Sequence, residues 1–450
     1  MNYLEQLAEF ACETRLDVVP PQALAHLRVI VADTVAACAA GNQEAEMQAM
    51  GARQSELCGA GEAQVIGTRW RLNPVDAAAL NACAGCWLEL DEGNLESNGH
   101  PGIQVLPSAL ALAQQLELSG ERFLRACAIG YEITARIGSA CDMRMSIHPH
   151  GTYGVVGGAV ATGLLLGMGP EAMRALISLA AASPMAGNRQ GMKEGSTLRN
   201  WYASHSAIMG QTAVRLIQSG FSAPLDGVAA TCGDVLFDNF RPEQVVAGLG
   251  SRWLLQDGYI KLYGCGRPIH AAIDALRDAL RPLGTSNDWP QVESIEKIEI
   301  CGFGFVAFLN RRDIGNAFAT RFSTPWAVAS VLVNRSHGLE CFSESALANA
   351  SIHALLERIE LREEPAYSQQ FPSRQICDLR IHLRGGKLLT GRCEVIRGEP
   401  ANPADASDYA DKFFDMAQRA WSVERATELH RRLLAIDQEP DLRLLDLSKD

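Results

Sequence analysis

The spacing of apolar residues changes period once along this chain, and that change limits the fold more than any other feature. Up to about residue 260 the period is helical. Pro21 to Ala40 carries Leu24, Leu27, Val31, Val35 and Ala36 on one stripe and stops at Gly41, the pattern of an amphipathic helix with a glycine end. Ser119-Gly120-Glu121-Arg122 opens a second helix through Phe123, Ala126, Ile129, Ile133 and Ile137, and Gly169-Pro170 precedes a third over Glu171 to Ala182. Alanine and glycine are frequent in these runs, which lets helices approach closely and predicts helix-on-helix packing. The longest apolar run, Gly154 to Gly167, is shorter than the 18 or so residues of a membrane span and crowded with Gly and Ala, so it reads as a packed core helix.

After Pro268 the alternation turns to period two. Ser294-Ile295-Glu296-Lys297-Ile298-Glu299-Ile300 and Ile376-Cys377-Asp378-Leu379-Arg380-Ile381-His382-Leu383 both read as half-buried strands. Arg384-Gly385-Gly386-Lys387 supplies a turn before Leu388 to Val395 returns, which predicts a hairpin. Helices are predicted between them at Ile269 to Leu280, Pro325 to Val333 and Ser343 to Ile359, and again over the tail from Asp405 to Ile436. The fold class is therefore mainly α. A large all-helical domain takes residues 1–267 and 401–450, and a smaller α+β lid domain takes 268–400.

A net charge of −12 lacks the basic excess that tracks a phosphate backbone, which argues against nucleic acid as a partner. It leaves room for a small anion, because a few Arg, Lys and His in one cleft set the local field. No membrane partner is expected either, since no long apolar run reads as lipid-facing. Thirteen cysteines, an odd count, sit mostly inside apolar helical runs, and Met1-Asn2-Tyr3-Leu4-Glu5 shows no secretory signal. Reduced thiols and a cytoplasmic location are expected. Cys83-Ala84-Gly85-Cys86 is formally CxxC, but no second pair stands at zinc-ribbon distance, so burial is the preferred reading.

The polar residues gather in a few loops. Glu89-Leu90-Asp91-Glu92-Gly93-Asn94-Leu95-Glu96-Ser97-Asn98-Gly99-His100-Pro101-Gly102 sets four carboxylates, amides and an imidazole between two apolar helical runs. Such groups are costly there unless solvated or used. His148-Pro149-His150 precedes the Gly/Ala-rich helix, where free N–H groups favour an anion; a metal has no fixed carboxylate or thiolate partner in the pattern. Arg199, in the polar loop Asn188 to Asn200, reads either as a two-pronged carboxylate grip or as a surface arginine at a helix start. Lys261 to His270 lies at the junction of the two compositional zones, where ligands tend to bind. Arg321-Phe322-Ser323-Thr324-Pro325-Trp326 is expected to add a wall.

Together these stretches resemble the MmgE/PrpD family, whose members include 2-methylcitrate dehydratase, cis-aconitate decarboxylase and iminodisuccinate epimerase. The likeness rests on Leu90-Asp91-Glu92-Gly93-Asn94 with Gly99-His100-Pro101, on Gly130-Tyr131-Glu132-Ile133, His148-Pro149 and Pro184-Met185-Ala186-Gly187, on Lys261-Leu262-Tyr263 with His270, and on Arg321 to Trp326. It implies a helical domain and an α+β lid around a cleft, a homodimer, and work on small di- or tricarboxylates without metal or organic cofactor. It also implies that His100 and His148 are the active-site histidines and that Asp91 is an acidic position beside them. Two departures stand out. A lysine and a histidine common in relatives are replaced by Arg199 and Tyr202, and a decarboxylase tyrosine by Trp326.

Chemistry at a carbon next to a carboxylate needs a base, an acid and cations for the substrate. On this reading His100 and His148 form the acid/base pair, in either order, and Asp91 orients an imidazole. Arg199 and Lys261 clamp carboxylates, while Asn94, His150, His270 and Trp326 line the pocket. Arginine does not deprotonate, so the expectation is a hydro-lyase first, an epimerase second and a decarboxylase third. A protein that binds a carboxylate without turning it over is the alternative outside catalysis.

Overall fold

The computed structural model describes residues 2–450, and they are mainly helical with a smaller α/β part. Two hydrophobic cores form. The first takes buried residues from Leu4 to Ile260 and again from Phe413 to Leu447. The second takes residues from Tyr263 to Ile396.

At the centre of the first core lies helix Gly154–Leu165, with every residue buried. It packs against helices Pro101–Gln115, Gly120–Ser139 and Leu198–Gln218. Glycine is what permits the approach. A Cβ on Gly157 would stand 1.8 Å from Thr134 Oγ1 and 2.5 Å from the carbonyl oxygen of Gly130. Helix Pro21–Gly41 is long and apolar enough to cross a membrane by composition, but most of it is buried here, against helices Pro74–Trp87 and Ala406–Ala417.

The second core is built on a four-stranded sheet in the order Leu388–Cys393, Cys377–Leu383, Ile295–Gly302, Ile359–Glu363. The predicted hairpin forms with Leu388 opposite His382. Helix Arg267–Leu280 covers the hairpin with Ile269, Ile273, Leu276 and Leu280 buried. The single helix expected over Ser343 to Ile359 does not form. Ser343 and Asn349 each accept a backbone N–H and start separate short helices, Glu344–Leu347 and Ala350–Leu356. Ile359–Glu363 then leaves as an edge strand parallel to Ile295–Gly302. Its Glu360, Arg362 and Glu363 suit an edge, where charge discourages further pairing. The tail from Asp405 likewise divides into Ala406–Ala417 and Val423–Leu433.

Three two-residue antiparallel pairings tie loops together within the helical part. One of them, Gly93–Asn94 with Gly258–Tyr259, draws the polar loop after helix Pro74–Trp87 against the segment that leads into the second core.

Because Gly157 meets backbone and a buried hydroxyl, Gly157→Ala is expected to destabilise by at least the ~1–3 kcal/mol typical of overpacking. Thermal denaturation should show a lowered Tm for Gly157→Ala and no change for Gly169→Ala, whose added Cβ would meet nothing within 4 Å.

Candidate active site

Helix Pro74–Trp87 ends at Leu88, and Glu89 follows with φ +54°. A side chain rarely holds that left-handed conformation, which costs roughly 1–2 kcal/mol outside glycine. The turn aims two carboxylates into the protein. Glu89 Oε1 pairs with Arg199 Nη1 at 2.6 Å, and Glu89 Oε2 with Lys261 Nζ at 3.3 Å. Lys261 Nζ also meets Asp91 Oδ1 at 3.0 Å. All four side chains are almost wholly buried, so two anions and two cations cancel inside the fold.

The other oxygen of Asp91 faces two imidazoles. His100 Nδ1 lies 3.2 Å away and His150 Nε2 3.3 Å away. Burial works against ionisation of Asp91, yet Lys261, His100, His150 and Arg199 outweigh it and hold the carboxyl well below its usual range. His100 Nδ1 also lies 2.5 Å from the carbonyl oxygen of Glu92. Both neighbours of Nδ1 are acceptors, so the ring proton belongs on that nitrogen. His100 Nε2 is left with its lone pair and has no hydrogen-bond partner among the described residues. Burial pushes this imidazole well below the ordinary histidine pKa, against the pull of Asp91. At neutral pH it is an uncharged base, and its side chain keeps 13% exposure.

His148 sits on the other side of His150, with ring centroids 4.7 Å apart, while His100 and His150 are 4.8 Å apart. The two histidines implied by the resemblance therefore converge on one cavity, which both line. They differ in what their nitrogens meet. Arg199 Nε donates to His148 Nε2 at 3.2 Å, and the His150 backbone N–H points at His148 Nδ1, also at 3.2 Å. A donor on each nitrogen opposes a second ring proton. Burial, His150 and Arg199 all lower this pKa. His148 is thereby held neutral and is poorly set up to act as an acid.

The cavity, about 500 Å³, is bounded by residues of both cores. The loop carrying its floor is pinned from two sides. Lys412 of helix Ala406–Ala417 donates to Leu90 O at 2.9 Å and pairs with Asp33 at 2.6 Å. Arg321, from the second core, donates to Leu88 O at 3.0 Å and to Gly264 O at 2.7 Å.

Several expected roles change in the structure. Arg199 and Lys261 line the cavity, but Glu89 and Asp91 already neutralise them, so neither is a free clamp. His150 lies behind the wall, fully buried between Asp91 and the Cys86 thiol 3.8 Å away. Asn94 reaches the cavity, but its amide serves the fold by donating to Leu254 O and accepting from Ser97 N. His270 is withdrawn into the second core, facing Cys265 O at 3.3 Å and packed on Tyr263. Trp326 is core as well, its indole N–H donating to Cys341 O at 3.0 Å. Neither of the last two borders the cavity, because helix packing turns both rings inward.

Other residues take the vacated places. Arg189 lines the cavity with thioether sulfurs near its guanidinium, Met143 Sδ at 3.6 Å and Met145 Sδ at 3.7 Å. It has no carboxylate partner among the described residues. Arg267 pairs with Glu399 at 2.8 Å, and its buried Nε has no partner. Its guanidinium lies over the Tyr259 ring, 4.3 Å from the centroid. Tyr259 also borders the cavity, and burial pushes its phenol up to about 12, so it keeps its proton. Arg189 was hidden among the charges of its loop, and Tyr259 had no local signal at all.

Cys86, Asp91 and His150 hold their donor atoms within 4.8 Å of one another, as a metal site would. The chemistry of the set fits a cation poorly. The Lys261 ammonium already occupies Asp91, and burial keeps the Cys86 thiol protonated.

Comparison with known proteins finds two family domains along the chain. The MmgE/PrpD N-terminal domain matches residues 5–244, and the MmgE/PrpD C-terminal domain matches residues 263–436. The chain belongs to the MmgE/PrpD family. Curated MmgE/PrpD-type relatives include cis-aconitate decarboxylase of Aspergillus terreus (strain NIH 2624 / FGSC A1156), 24% identical over 98% of this chain and 95% of that protein. The cis-aconitate decarboxylase-like protein oryM of Aspergillus oryzae is 22% identical over 98% and 96% of the two chains. The stretch between the two family domains includes Tyr259 and Lys261, which line the cavity.

Removing one member of the buried quartet leaves a charge without its counterion, which typically costs about 3–5 kcal/mol. Glu89→Gln is expected to lose that much in urea unfolding. Adding Arg199→Met to it should restore part of the loss, whereas two independent sites would simply add.

Proposed function

We propose that this protein is a cofactor-independent lyase of a di- or tricarboxylate, and that it eliminates water from a hydroxy acid. The observation that carries the reading is His100, whose Nδ1 is tied down at Asp91 and Glu92 O while Nε2 opens towards a cavity holding an unpaired arginine. A neutral imidazole so oriented is a general base. His100 Nε2 takes the proton from the carbon beside a substrate carboxylate, and Asp91 stabilises the imidazolium that forms. The electron pair of the broken C–H bond becomes the new double bond as the C–O bond breaks. Tyr259 gives its proton to the departing hydroxyl, which leaves as water, and the proton on His100 returns through solvent to the phenolate. Arg189 and Arg267 hold carboxylates, the first without a competing anion. Asp91 and Lys261 orient the base rather than bind substrate.

A second reading has specific support. The relatives above carry the name cis-aconitate decarboxylase. In a decarboxylation the C–C bond to a carboxylate breaks, CO2 leaves and Tyr259 protonates the carbon, with no base required. The lone pair on His100 favours elimination. The two reactions separate on product: a conjugated acid without gas from citrate or 2-methylcitrate, or CO2 from cis-aconitate.

His100→Gln and Tyr259→Phe are each expected to lower kcat by about 10²–10⁴-fold, the usual contribution of one general acid or base. Folded His100→Gln protein that keeps full turnover on the accepted acid would remove the base from this scheme. The pH profile is a separate check. The folded pKa of His100 lies below 6.5 and that of Tyr259 near 12. Log kcat/KM should therefore stay level across neutral pH, with its acid limb below pH 6.5, where the base becomes protonated.

A further inference from the structure

The charged groups at the cavity floor match only part of what borders this space. Glu89 and Asp91 neutralise Arg199 and Lys261, which leaves Arg189 and the partly engaged Arg267 to meet an incoming anion. The remaining wall is apolar. Met143, packed on the first core, and Met192 and Phe305, packed on the second, line it together with Met145 and Phe371. These side chains are continuous with the anchor. The Arg189 guanidinium touches the sulfurs of Met143 and Met145 and lies 5.8 Å from the Phe305 centroid. Phe371 stands 5.9 Å from Phe305. Met145 is 56% exposed and Phe371 39% exposed at the mouth. Large apolar side chains left open beside a cavity commonly mark a binding surface, and methionine adapts its shape to flexible hydrocarbon.

A bare tricarboxylate suits this wall badly. It would bring three negative groups to two available guanidinium ions and leave much of about 500 Å³ to water that the wall cannot hydrogen-bond. We propose that the substrate is an alkyl-substituted carboxylic acid, with carboxylates at Arg189 and Arg267 and a hydrocarbon chain of several carbons along Met143, Met145, Met192, Phe305 and Phe371. The proposal rests on the reading of this cavity as the active site, and it names the class of acid admitted there.

Binding can be measured without turnover, using succinate, butylsuccinate and octylsuccinate in calorimetric titrations of the full chain. Affinity should rise about fourfold per methylene, the equivalent of ~0.8 kcal/mol for each buried CH2. That gives about two orders of magnitude between succinate and butylsuccinate. Met145→Ser with Phe371→Ser, both at exposed positions, should flatten this slope. Arg189→Met should weaken all three ligands by a similar factor. A flat slope in the parent protein overturns the proposal, as does a steep slope that the double variant leaves intact, which would signal unspecific partitioning. The catalytic reading fails separately. A steep slope in a protein that turns over no acid keeps the hydrocarbon subsite and removes the lyase, while rapid turnover of unsubstituted acids with a flat slope does the reverse.

Discussion

One carboxylate organises the centre of this protein. Asp91 meets a lysine through one oxygen and two imidazoles through the other, and each contact depends on the rest. An isolated carboxylate this deep would take up a proton rather than stay charged. Lys261 keeps it ionised, and Glu89 shares that lysine while pairing with Arg199. The result is a neutral, rigid set of charges in which the Nδ1–H of His100 has a fixed direction. Orientation of the ring follows from electrostatics, and the electrostatics follow from burial.

Burial in turn depends on the backbone. The loop bearing Glu89 and Asp91 has its Leu88 carbonyl held by Arg321 and its Leu90 carbonyl by Lys412. One grip comes from the second core and the other from the C-terminal return. Side chains 233 and 322 residues further along the chain thus fix alternate residues of the same turn. Loops that carry function are normally mobile unless a scaffold restrains them, and here the two cores and the tail all contribute restraint. The short pairing of Gly93–Asn94 with Gly258–Tyr259 completes it and sets Tyr259 on the wall of the cavity that His100 lines.

Much of this was legible in the sequence, for definable reasons. Period and glycine content announced the helical core, and alternation around Arg384 to Lys387 announced the hairpin. The density of acid and imidazole between Glu89 and Gly102 marked the loop itself. What local sequence cannot carry is the identity of a charge's neighbour. Arg199 and Arg189 look alike as residues in one polar loop, yet the first faces Glu89 and the second faces thioether sulfur. His270 and Trp326 have the composition of a site and the packing of a core. A two-residue strand has no period, so Gly258–Tyr259 gave no sign of its partner. Ile359–Glu363 was lost for a related reason, since a charged edge strand resembles the end of a helix.

The exchange of a lysine common in the family for Arg199 makes sense in these terms. A guanidinium presents its donors in a rigid planar fork, whereas an ammonium is a point charge on a flexible stem. Arg199 uses two nitrogens of that fork. Nη1 meets Glu89 Oε1 at 2.6 Å, Cys86 O at 3.3 Å and Asn200 Oδ1 at 3.2 Å, while Nε reaches His148 Nε2 at 3.2 Å. No single ammonium can span those positions. Tyr202 packs edge-on to His148 with centroids 5.7 Å apart. The arginine meets His148 Nε2 with a donor, and the tyrosine ring packs against the same imidazole. With both nitrogens of His148 facing donors, His100 is left as the cavity imidazole with an open nitrogen.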